Sequence, residues 1–196
     1  MTRSAIQTLT TPQDRTLEAT RQVAIVVGAS LVVALCARIY IPLPLTPVPL
    51  TVQNLAVVLV GLVLGSRRGF AALVLYLVEG MVGLPVFSPT GLGGVAQLFG
   101  ITGGFLLAYP FVAFLAGYIF ERGTRSFLRA AVAGFLAEIL LFAGGLTWLY
   151  TFTHSLAKAA YLGLYWFLAA EVIKVMLAAA IATRWRSHAI TNSAQQ

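Results

Sequence analysis

Six apolar runs, at residues 21–41, 50–66, 69–84, 99–120, 129–149 and 166–183, account for most of this chain. Each approaches the roughly 17 to 25 residues with which a helix crosses a hydrocarbon core of about 30 Å. The third is the shortest. Composition agrees with the pattern: charged residues are 10% and hydrophobic residues 59% of the chain, and the mean hydropathy is +0.89. A soluble domain carries about 25% charged residues. The expected fold class is therefore an all-α integral membrane protein with six transmembrane helices.

Positive charge orients that bundle. Arg3 and Arg15 precede the first run, Arg67 and Arg68 lie between the second and third, Arg122 and Arg125 between the fourth and fifth, and Arg184 and Arg186 after the sixth. Arg21 and Arg129 add to the same side, whereas the connections 42–49 and 85–98 hold no Lys or Arg and the remaining one holds only Lys158. Cytoplasmic loops carry the excess of Lys and Arg, so both termini are expected inside. The predicted division is a cytoplasmic tail over 1–20, a single six-helix domain over 21–185 and a cytoplasmic tail over 186–196. The net charge of +7 then reports topology, and the partner it implies is the lipid bilayer rather than a nucleic acid.

Several chemistries lack their residues. Met1 to Thr20 has no basic start running into an apolar core and a small-residue cleavage site, so it does not read as a cleaved signal peptide. Cys36 is the one cysteine, which leaves it as a small packing residue. His154 and His188 are far apart and lack a ligand pattern, so no metal or bound cofactor is expected. Gly100-Ile101-Thr102-Gly103-Gly104 lacks the phosphate-gripping lysine of an ATP-binding loop. An intramembrane enzyme would also need a nucleophile with a positioned base, which the pattern does not supply.

The polar residues inside the runs sort by depth. With this orientation Arg38 and Glu79 end the first and third runs on the outer side, while Gln53 and Asn54, Gln97 and Thr102, and Glu171 and Lys174 begin or precede the second, fourth and sixth. All fall in the outer third of the membrane; Glu138, nearer the middle of the fifth run, stands apart. Ionisable groups within a membrane are costly, and their default reading is functional. Glu171-x-x-Lys174 puts an acid and a base on one helical face, as an internal ion pair or as a receptor for a ligand carboxylate. Gln53 and Asn54 each donate and accept, which suits an amide or urea-like group, and about 100° separates consecutive helical residues, so one of the two faces the cavity. Tyr76 and Phe87 are candidates for its apolar walls.

Two loops and one helix face complete the pattern. Thr46-Pro47-Val48-Pro49-Leu50-Thr51-Val52-Gln53-Asn54 is uncharged and stiffened by proline, and Leu84 to Leu98 is long, uncharged and punctuated by Gly and Pro, as a lid over a mouth would be. Ser30, Ala34 and Ala37 offer small side chains in the first run, with Ser30-x-x-x-Ala34 at the spacing that lets helices approach closely. They serve packing within the bundle or the seat of another membrane subunit.

Pro47-Val48-Pro49-Leu50-Thr51-Val52-Gln53-Asn54, Gly83-Leu84-Pro85-Val86-Phe87, Gly93-Gly94, Gly100-Ile101-Thr102-Gly103-Gly104-Phe105 and Glu171-x-x-Lys174, in that order, resemble the BioY family. These are the biotin-binding S components of energy-coupling-factor transporters, and the resemblance spans about residues 21 to 185. It implies an S-component-like bundle, capture of biotin from outside, association with a transmembrane T component and a pair of ATP-binding-cassette ATPases that consume the ATP, and toppling within the membrane to release substrate. Glu171 stands where the family commonly has aspartate, which keeps the charge and adds a methylene. The resemblance implies that Lys174 meets the valerate carboxylate, that Gln53 or Asn54 and Glu171 meet polar edges, and that Tyr76 and Phe87 pack the rings, with Glu79 and Arg38 in the same outer layer. A self-sufficient permease, or an S component for another small carboxylated vitamin, is the alternative expectation.

Overall fold

The computed structural model describes the backbone of residues 12–193 and the side chains of residues 15–185. The first part of the N-terminal tail and the end of the C-terminal tail lie outside the described residues. Eight α-helices follow in the order α1 (Pro12–Ala37), α2 (Gln53–Leu64), α3 (Ser66–Met81), α4 (Gly94–Leu98), α5 (Gly103–Glu121), α6 (Phe127–Thr153), α7 (Leu156–Ala160) and α8 (Leu168–Ser193). Six of them fall on the six apolar runs. The five-residue α4 and α7 sit in connections, and a single π-helical turn, Tyr161–Tyr165, joins α7 to α8.

Helix borders follow local chemistry. Proline costs no hydrogen bond at a first helical position, and α1 begins on Pro12, inside the segment read as a tail. The same residue type stops helix formation further on. Pro42, Pro44, Pro47 and Pro49 bar their predecessors from helical backbone, so the chain between α1 and α2 is extended. Tyr40–Ile41 (β1) there pairs antiparallel with Leu50–Thr51 (β2), in the register Tyr40 with Thr51 and Ile41 with Leu50. The second run thus begins as a strand and turns helical at Gln53.

The helices differ in reach. Among the described residues, Arg15–Ala37, α5 and α6 are long and apolar enough to cross a membrane, and Leu156–Tyr165 with Leu168–Trp185, bent by 47°, forms a fourth such segment. With 12 residues, α2 spans only about 18 Å. It is nevertheless the centre of the bundle: no residue of α2 is exposed, and α5, α8, α3 and α1 pack around it. Close approach to α5 depends on Gly61, where a Cβ would stand 2.3 Å from the Ala113 carbonyl oxygen. Gly65, at φ +87°, makes the one-residue turn into α3. Glu121, at the end of α5, receives Ser66 N–H at 3.1 Å and Ser66 Oγ–H at 2.8 Å, satisfying the start of α3.

By contrast, α1 packs mainly on α3 and α2 and leaves Leu31, Leu35 and Val23 exposed. Its small residues point the other way. Ser30 and Ala37 are fully buried, Ala34 is partly buried, and Ser30 Oγ donates to Glu79 Oε1 of α3 at 3.0 Å and to Val27 O at 2.9 Å. Expected as either packing or a partner's seat, this stripe is used inside the bundle, because close contact with α3 consumes the space its small side chains leave.

Candidate ligand-binding site

The start of α2, the two proline- and glycine-rich loops, and one face each of α5, α6 and α8 enclose a cavity of about 370 Å³. Small-molecule pockets run from roughly 300 to 1,000 Å³. Loop residues Pro47, Val48 and Pro49 close one side, and Ser88, Thr90, Gly91, Leu92 and Gln97 of the second loop close another. Both loops are tied down. Thr46 Oγ1 donates to Leu162 O in the π-helical turn at 2.6 Å and accepts from Val48 N–H at 3.1 Å. Gln97 Oε1 accepts from Gly93 N–H at 3.1 Å, and Trp148 Nε1 of α6 donates to Gly100 O at 2.9 Å, which fixes the end of the second loop.

A bonded polar row occupies one wall. Lys174 Nζ donates to Glu171 Oε1 at 2.7 Å, so the acid and base one turn apart on α8 do pair. Asn54 Nδ2 donates to Glu171 Oε2 at 2.5 Å and to Glu138 Oε1 at 2.6 Å. Gln53 Nε2 instead donates to Tyr76 Oη at 2.8 Å. Gln53, Asn54, Glu171 and Lys174 all line the cavity, and all four are nearly or largely buried. A lysine has three N–H donors, of which Glu171 takes one here. Facing this row are Phe105 and Tyr109 of α5, Leu141 and Phe142 of α6, and Phe167 before α8. The arrangement offers a cation, an amide and carboxylate oxygens on one side and aromatic carbon on the other.

Not every expected residue reaches the cavity. Tyr76 is fully buried behind Gln53, its Oη donating to Val86 O at 3.2 Å, and Phe87 meets Tyr76 edge-on at 5.3 Å and covers Gly80 of α3. Both support the wall rather than form it, because Gln53 and the second loop stand between them and the space. Glu79 faces Ser30 at the α1 and α3 contact, and Arg38 is exposed at the end of α1, so neither lines the cavity. Glu138 reverses the expectation that set it apart. It is the twelfth residue of the 27-residue α6 and still reaches Asn54, because β1 and β2 carry the chain inward before α2 begins.

The aromatic wall was readable but unread: Phe105 and Tyr109 are four residues apart on α5, and Phe167, Glu171 and Lys174 follow at spacings of four and three, each set on one helical face. Thr46, whose bond reaches 116 residues ahead, left no such signal.

Comparison with known proteins agrees with this geometry. The signature of the BioY family matches residues 6–190. The biotin transporter BioY of Rhizobium etli is 38% identical over 161 residues, 77% of this chain and 84% of that protein. The probable biotin transporter BioY of Pyrococcus horikoshii is 38% identical over 138 residues, covering 70% and 80% respectively. Among solved structures, an S component for biotin from an ECF-type ABC transporter superposes with a TM-score of 0.79 over 87% of this chain and 93% of that one, at 22% identity, so the likeness there is one of fold. By a signature that spans nearly all of its length and by relatives matched over most of theirs, this chain belongs to the BioY family.

Proposed function

We propose that this chain captures biotin at the outer side of the membrane, as the substrate-binding S component of an energy-coupling-factor transporter. The single observation that carries the reading is the bonded row Lys174, Glu171 and Asn54 on one wall of an otherwise largely apolar cavity. Biotin has a carboxylate, a ureido ring with N–H donors and an acceptor, and an apolar bicycle and chain. Each class has its counterpart on the wall: a cation, amide and carboxylate oxygens, and aromatic carbon. Lys174 receives the ligand's carboxylate, Glu171 and Asn54 meet polar edges, and Phe105, Tyr109 and Phe167 flank the apolar part, with Tyr76 and Phe87 holding Gln53 and the loop in place.

In this reading six helices, α1, α2, α3, α5, α6 and α8, form one membrane-embedded domain with both termini cytoplasmic, which puts the cavity on the outer side. A T component and two ATP-binding-cassette ATPases complete the transporter and spend the ATP. Calorimetry of the purified protein against biotin and its close analogues is the test: saturable, one-to-one heat with biotin is expected, and none would overturn the assignment. Lys174→Ala is expected to weaken binding by about 2 kcal/mol or more, as for the loss of one partner of a buried charged contact.

A further inference from the structure

Glu138 takes no part in lining the cavity, yet it is 5% exposed in the middle of α6 and its Oε1 is bonded to the one amide that both lines the cavity and touches α8. A carboxylate buried at that depth is expensive unless it does something. What it does follows from donor and acceptor counting. An asparagine amide has two N–H donors on Nδ2 and one acceptor oxygen, and ionised carboxylates only accept. Glu138 Oε1 and Glu171 Oε2 both lie within 2.6 Å of Nδ2, so the amide faces them with its nitrogen. Oδ1 is thereby left over, buried and without a hydrogen-bond partner.

We infer that Glu138 is a positioning residue: by taking one of the two Asn54 N–H groups it fixes the amide with Oδ1 as its free end, so that the site prefers ligands bringing an N–H donor to that point. Glu171 takes the other N–H with Oε2 and also serves Lys174 with Oε1. Glu138 has no such second duty. Three helices meet in the arrangement, α2 through Asn54, α6 through Glu138 and α8 through Glu171. The inference rests on the biotin reading only for the identity of the donor, a ureido N–H.

The test compares Glu138→Leu, which keeps the bulk and removes the acceptor, with Glu138→Gln, which keeps an acceptor oxygen, and with Glu138→Asp, which withdraws it by a methylene. Each is titrated with biotin and with biotin methylated at either ureido nitrogen. In the unaltered protein one of the two methylated forms is expected to bind about tenfold or more weakly than biotin, for want of the N–H. Glu138→Leu and Glu138→Asp are expected to cut that preference to about threefold or less, and Glu138→Gln to recover most of it. Equal weakening of all three ligands, with the preference intact, would show that Glu138 only holds the bundle together. If Glu138→Leu does not fold, the Asp and Gln pair gives the same reading.

Nitrogen-15 spectra of the Asn54 side chain, taken without ligand, report the positioning independently. Both amide protons should be shifted by their carboxylates in the unaltered protein and in Glu138→Gln, and one should lose that shift in Glu138→Leu. An unmoved Asn54 spectrum overturns the orienting role. A moved spectrum in a protein that binds no biotin leaves the orienting role standing and sinks the biotin reading instead.

Discussion

The carboxylates at opposite ends of α2, Glu121 at one and Glu138 with Glu171 at the other, show how the same group serves different ends. At the α2 to α3 turn, Glu121 spends both oxygens on Ser66, one on the backbone N–H and one on the hydroxyl, and lies in a hollow with Arg67, Arg68 and Arg125. At the start of α2, Glu138 and Glu171 share one amide nitrogen, and Glu138 Oε2 and Asn54 Oδ1 have no partner. In the first set each oxygen has a protein partner. The second leaves buried polar capacity unspent, which costs free energy in the empty protein and is returned when something fills it.

That contrast can be broken in order of expected size. Lys174→Ala carries the largest effect, the loss in biotin affinity already given. Gly61→Val forces a side chain into the Ala113 backbone and is expected to lower stability by roughly 1–3 kcal/mol, read as a drop in unfolding temperature that saturating biotin partly reverses. Glu121→Ala removes the cap from α3 and should cost roughly 1 kcal/mol of stability while biotin affinity stays within about twofold. A larger affinity loss there would erase the distinction between the two ends. Thr46→Val keeps the shape and removes the donor to Leu162, so biotin should dissociate a few-fold faster, a change of about 0.5–1.5 kcal/mol visible in a chase experiment. Arg38→Ala, at an exposed residue outside the cavity, should move affinity by less than about 0.5 kcal/mol.

The sequence made the helices legible because apolar runs and prolines act locally. Pro42 to Pro49 account for the break after α1, and the runs for the six long helices. Gln53, Asn54, Glu171 and Lys174 were legible as a group for the same reason: polar residues in apolar runs are conspicuous. Depth was harder. Counting from the edges of the runs assumes that each run crosses the whole membrane, and α2, with 12 residues, does not, so Glu138 looked remote from an amide that it touches. Tyr76 and Phe87 erred in the other direction. They lie near the right residues in space but one layer back, and a layer is a property of packing that no single helix encodes.

The shortness of α2 has a consequence for how the protein comes to be made. A segment of about 18 Å cannot by itself span a hydrocarbon core of about 30 Å, and once in place it has no exposed residue through which to meet lipid. Partitioning into the bilayer therefore does not install it; docking against α5 and α8, which are synthesised later, does. Until α6 and α8 arrive, Asn54 at its head lacks the two carboxylates it bonds, and the wall of the binding site stays incomplete.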